Sequence, residues 1–125
     1  MSFVHEVSES IRSAGSESGV CYSKCVFDPA IKIFAGHFPG NPIAPGIALL
    51  QLARTVVEKA RGEKLSVAAV ESAKFLRSVR PGEEVVITWR ASEQETGTLR
   101  IDVRGTVGEE RAFIAVLKLR RSELA

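Results

Sequence analysis

The segment from Gly46 to Arg61, GIALLQLARTVVEKAR, sets the strongest constraint on what this chain can become. Ile47, Ala48, Leu49, Leu50, Leu52 and Ala53 place apolar side chains all the way round the first two turns of a helix. A helix that is apolar on every side is a buried one, so the rest of the chain has to enclose it. Gly62 supplies the stop signal. The later half, with Arg54, Glu58, Lys59 and Arg61, is expected to emerge into solvent. Gln51 is the one polar side chain expected within the buried part. An unpaired amide there costs about 1–3 kcal/mol, so Gln51 requires a partner.

The approach to this helix is equally distinctive. From Phe34 to Gln51 the chain reads FAGHFPGNPIAPGIALLQ and holds three of the five prolines, three of the ten glycines and one of the two histidines. Pro39, Pro42 and Pro45 each fix φ and restrict the preceding residue, which makes a stiff, extended turn. A histidine on such a loop, His37, just ahead of a helix start, is a credible catalytic arrangement. The unpaired N–H groups of the first helical turn can receive a developing oxyanion.

Around these two features the chain reads as strands. Val20 to Phe27 alternates with β-formers, and Asp28 and Pro29 close it. After the helix, Leu65–Val70, Ala73–Val79, Glu84–Ala91, Leu99–Val107 and Arg111–Leu119 form a series bounded by turn residues. Arg80-Pro81-Gly82 has the proline-before-glycine order of a type II turn, and Thr96-Gly97 and Gly108-Glu109 mark hairpins. Arg100, Asp102 and Arg104 alternate with Leu99, Ile101 and Val103, so that strand has one wet face. One buried helix followed by an antiparallel meander is an α+β arrangement. Residues 1–19 have apolar spacing at Phe3, Val4, Val7 and Ile11 that suits a short helix before a serine- and glycine-rich run. His5 reads as a surface residue.

Composition narrows the function. A chain of 125 residues fits one domain, with no repeat or linker to divide it. A net charge of +2 argues against a nucleic-acid binder. No apolar run approaches the roughly 20 residues of a membrane helix, and the N-terminus lacks a signal peptide's pattern, so a cytoplasmic location is expected. Cys21 and Cys25, four apart on a strand, would point to one face about 13 Å apart, too far for a disulfide. Together with two histidines they supply too few ligands for a metal site.

GHFPGNPIAPGIALLQ resembles the GHFPGxPxxPGVLxxE segment of the 3-hydroxyacyl-acyl-carrier-protein dehydratases, the FabA/FabZ family. VESAKFLRSVRPGEEVVI, from Val70 to Ile87, is similar to that family's IDEARFKRPVxPGDxxxx strand pair. The matched regions and surrounding strands cover roughly residues 20 to 120, and residues 1–19 match poorly. The resemblance implies a hotdog fold, an antiparallel sheet wrapped around one central helix. It implies removal of water from a 3-hydroxyacyl thioester to give the trans-2-enoyl thioester, in fatty-acid or polyketide-type biosynthesis. The substrate would ride on the phosphopantetheine arm of an acyl carrier protein, with no metal or redox cofactor.

By the same resemblance His37 abstracts the proton next to the carbonyl, and the backbone N–H of Gly46 holds the thioester oxygen. Phe38, Pro39 and Gly40 complete the substrate loop, while the basic Lys74, Arg77 and Arg80 suit the landing of an acidic carrier. The family works at least as a homodimer, with the histidine and the helix residue meeting across the subunit boundary. One position departs. The family's catalytic carboxylate falls fourteen residues after the histidine, where this chain has Gln51, and the family's glutamine one turn later is Thr55. An amide has no proton to give, and losing a positioned general acid costs ~10²–10⁴ in rate. Two further readings therefore stand beside the dehydratase: a non-catalytic acyl-carrier-binding or partner subunit, and, less fitting to the loop, a hotdog thioesterase.

Overall fold

The structure is a computed structural model that describes residues 11–17, 20–27, 46–95 and 97–122. Strands β1 (Ile11–Glu17) and β2 (Val20–Val26) precede helix α1 (Gly46–Arg61). Strands β3 (Leu65–Phe75), β4 (Glu84–Glu93), β5 (Thr98–Val107) and β6 (Glu110–Arg121) follow it. They form one sheet in the order β1-β2-β4-β5-β6-β3, antiparallel at every step.

Alternation decides which face is covered. Val85, Ile87 and Trp89 of β4, Leu99, Ile101 and Val103 of β5, and Ala115, Leu117 and Leu119 of β6 are all buried. Between them Arg100, Asp102 and Arg104 stand exposed on the opposite face. Ala48, Leu49, Leu52, Ala53, Val56 and Val57 of α1 join the buried strand residues in a single core. Each fully buried leucine or isoleucine stabilises that core by about 1.5–3 kcal/mol. A sheet around one central helix is the expected architecture, and Gly46–Arg61 are the expected helix bounds. Gly62, at φ 65°, ends the helix in the left-handed region. Its N–H and that of Glu63 both bond the carbonyl of Glu58, at 2.9 and 3.3 Å. Gly82, at φ 86°, makes the expected turn, with Glu83 N–H donating to Arg80 O at 3.2 Å.

Four expectations need correction. Ile11 lies in strand β1, not a helix, because the backbone of Ile11–Glu17 pairs along β2. Tertiary pairing outweighs the weak strand propensity of serine, alanine and glycine. The remainder of the expected helix, Phe3 to Val7, lies outside the described residues. Gly15 sits where a Cβ would be 2.8 Å from the Tyr22 hydroxyl, so the ring occupies the space that the glycine leaves.

The two strands expected at Leu65–Val70 and Ala73–Val79 are one, Leu65–Phe75, which absorbs irregularities between Val67 and Ala69 and between Val70 and Ser72. The strands are also not a plain meander: β3 crosses to the far edge and pairs with β6. Finally, Arg54 does not emerge into solvent. It is 7 % exposed, and Thr55 beside it is also buried. Gln51 is therefore not the only polar side chain within the helix's covered part.

Candidate active site at the helix start

Helix α1 enters the core at Gly46, and the fold explains why that residue has no side chain. A Cβ there would meet the ring of Phe75 at 2.8 Å. Phe75 in turn leans on Phe113, with ring centroids 6.4 Å apart. The end of β3 thus seats the first turn of the helix. Backbone N–H groups of a first helical turn have no partner within the helix, which is the property an oxyanion site needs.

Gln51 lies further along the same helix and is half-buried. Its partner is Arg54, whose Nε donates to Oε1 of Gln51 at 2.8 Å. The guanidinium is held on its other edges as well. Nη1 donates to the carbonyl of Leu65 at 3.2 Å and pairs with Oε2 of Glu58 at 3.0 Å, while Nη2 donates to Oγ1 of Thr55 at 3.2 Å. Glu58 Oε2 also accepts the N–H of Leu65 at 2.8 Å. Thr55 donates its own hydroxyl proton to the backbone carbonyl of Gln51 at 2.8 Å. A buried guanidinium is tolerated because its donors meet a carboxylate, a carbonyl, an amide oxygen and a hydroxyl.

Sequence reasoning required a partner for Gln51 and did not find it. The signal was present: Gln51, Arg54 and Glu58 follow i, i+3, i+7 spacing, which stacks them on one face. The setting of Gln51 is consequently not the apolar one that its flanking leucines suggest.

The three basic candidates differ from one another. Lys74 is exposed on the edge strand β3, beside a cleft of about 330 Å³ that it lines with Ser72, Ala73 and Ile114. Arg77 is engaged by Glu83 through two hydrogen bonds and lies 3.5 Å from Glu110. Arg80 is exposed, and its backbone N–H donates to Glu83. His37, Phe38, Pro39 and Gly40 lie outside the described residues, so Gly46, Gln51, Lys74, Arg77 and Arg80 are the candidates with a described position. Among the described residues, four large apolar side chains remain exposed. Ile47, Val70, Phe75 and Leu76 are between 47 % and 67 % exposed, and three of them lie on or beside β3.

Comparison with known proteins gives a consistent result. The profile of the ApeI-like family, described as ApeI dehydratase, matches residues 13–112. The 3-hydroxyacyl-[acyl-carrier-protein] dehydratase FabZ of Blochmanniella floridana is 33 % identical over 101 residues, covering 73 % of this chain and 67 % of that protein. FabZ of Rickettsia felis is 33 % identical over 97 residues, covering 68 % and 67 %. Among solved structures, the dehydratase heterocomplex ApeI:P from Xenorhabdus doucetiae has a TM-score of 0.74 at 20 % identity, covering 89 % of this chain and 96 % of that one. The E. coli PaaI protein has a TM-score of 0.66 at 17 % identity, covering 94 % and 89 %. These last two likenesses concern the fold.

Proposed function

Because this chain belongs to the ApeI-like dehydratase family, we propose that it removes water from 3-hydroxyacyl thioesters carried on an acyl carrier protein. The product is the trans-2-enoyl thioester. The observation that carries this reading is the continuous match over residues 13–112, which contains both the His37 loop and the helix that bears Gln51.

The residues take the following roles. His37, as neutral imidazole, accepts the proton on the carbon next to the thioester carbonyl. The N–H of Gly46, at the start of α1, supports the negative charge that develops on the thioester oxygen. Gln51 hydrogen-bonds the departing hydroxyl but has no proton to give. The proton that leaves with that hydroxyl is then the one His37 has just taken. The C–H and C–O bonds break, the double bond forms, and water departs with the histidine restored. No metal or redox cofactor enters this scheme. Lys74 and Arg80 face solvent and suit electrostatic capture of an acidic carrier.

The catalytic unit in this reading is a dimer formed through β3, an edge strand whose exposed backbone and apolar side chains invite a second copy. A second reading, the non-catalytic partner subunit, is favoured by one observation: position 51 carries an amide and not a carboxylic acid.

The test is to incubate the purified protein with 3-hydroxyacyl-carrier substrates of several chain lengths, following enoyl thioester, free acid and unchanged substrate together. Enoyl product that disappears in His37→Ala supports the dehydratase. Free acid would make it a thioesterase, and unchanged substrate a partner subunit.

A further inference from the structure

Arg54 does more than neutralise Glu58. The guanidinium is pinned by Leu65 O, Glu58 and Thr55 Oγ1, so the Nε–H that meets Gln51 is fixed in direction. An amide facing a fixed N–H donor has to present its oxygen to it, since the flipped amide would set N–H against N–H. The planar amide group then turns its N–H₂ end away from Arg54. The helix spacing that brought these residues together leaves Gln51 half-buried, with its amide oxygen against the arginine.

We propose that Arg54 is a positioning residue that locks Gln51 with its amide oxygen inward, making position 51 a dedicated hydrogen-bond donor to the hydroxyl oxygen that leaves. This rests on the dehydratase reading above and specifies how that reaction proceeds without a carboxylic acid. It also has a consequence for the substitution that would seem to repair the site. A glutamate at position 51 would lie against the guanidinium, which favours the ionised form. It would have no proton to donate and would repel the departing oxygen. Lys64, Arg120 and Arg121 share a groove with Glu58 and Leu65, and Arg121 is itself paired with Glu63 and Glu93.

The experiment uses the fact that the chain contains two glutamines, Gln51 and Gln94. Gln94 is exposed and serves as the reference. In protein labelled with ¹⁵N at glutamine, the Gln51 side-chain pair is expected to be shifted from Gln94 and more rigid, with a higher order parameter. In Arg54→Met it should move toward the Gln94 values, with kcat falling about 10- to 100-fold and KM little changed, as a misplaced donor predicts. Arg54→Lys, which keeps a donor, should recover part of kcat, and melting curves establish that each variant is folded. Gln51→Glu alone should not raise turnover. The double variant Gln51→Glu with Arg54→Met should exceed Arg54→Met, and its kcat/KM profile should gain a falling limb toward high pH as the new acid ionises.

A Gln51 amide indistinguishable from that of Gln94, or a gain in turnover from Gln51→Glu alone, would overturn the proposal. A shifted, rigid Gln51 amide with no enoyl product from any chain would support Arg54's hold on Gln51 and overturn the dehydratase reading instead.

Discussion

Arg77 grips Glu83 with two hydrogen bonds, Nη1 to Oε1 at 3.0 Å and Nη2 to Oε2 at 2.7 Å. The N–H of Arg80 adds a third bond to the same carboxylate at 2.8 Å. The arginine is therefore a clamp on the turn at Pro81-Gly82 before it is anything else. In the proposed function, carrier capture then falls to Lys74 and Arg80. The same bonds hold the Glu83 carboxyl below its ordinary value of 4.5, chiefly through the Arg77 hydrogen bonds, against desolvation, with a lesser lowering from Arg80 N–H.

A lowered folded-state pKa contributes stability that is fully present above pH 4.5 and is lost as pH falls through the folded value. Glu83→Gln should accordingly lower Tm at pH 7. The gap to wild type should narrow as pH falls below 4.5 toward the lowered folded-state value. A gap that stays constant from pH 7 to 3 would show that the pair contributes nothing through its charge.

The cysteines should behave as two different reagents. Cys25 is 1 % exposed, and burial, aided by Glu84, pushes its thiol up to about 12. Cys21 is half-buried on the same strand. Iodoacetamide at pH 8 should label Cys21 in the native protein and reach Cys25 only with denaturant. Mass spectrometry of the digested protein reads this directly. Native labelling of Cys25 would contradict the packing.

Gly105 and Phe113 face each other across β5 and β6, and a Cβ at Gly105 would collide with the phenyl ring. Gly105→Ala should cost about 1–3 kcal/mol in urea unfolding, as overpacking does. Phe113→Leu in the same chain should recover part of that loss. Two additive costs would mean that the ring yields without strain.

The edge strand yields a test of assembly. Val70 lies on β3 at 47 % exposure, where a dimer through this edge would bury it. Val70→Lys should weaken association at micromolar concentration, read by sedimentation, and lower turnover with it. A wild-type protein that sediments as a monomer would remove the dimer from the proposed mechanism.

How much of this was legible in the sequence depended on how local each cause was. The helix bounds at Gly46 and Arg61, the Gly62 stop and the Gly82 turn were readable, because each rests on the conformational limits of residues adjacent in sequence. The wet face of β5 was readable from strict alternation. The crossing of β3 to the edge beside β6 was not, since nothing in Leu65–Phe75 names a partner strand so distant in sequence, with Phe75 opposite Phe113 and Leu65 opposite Arg121. Nor was the strand at Ile11–Glu17, whose order comes from pairing with β2 and not from its own residues. At the site, the spacing of Gln51, Arg54 and Glu58 was visible, but charge pointed to solvent. The burial of Arg54 became evident only with Leu65 in place to receive it.

The clasp around Leu65 also supplies a means of sorting relatives. Gln51, Arg54, Thr55 and Glu58 spell Q-x-x-R-T-x-x-E, four residues joined by hydrogen bonds along one stripe of the helix. A chain with a glutamate at the first position and no arginine at the second keeps an acid. One with the whole pattern keeps a donor. A search by fold or by the histidine loop alone would pool the two, whereas those eight letters separate them before any protein is made.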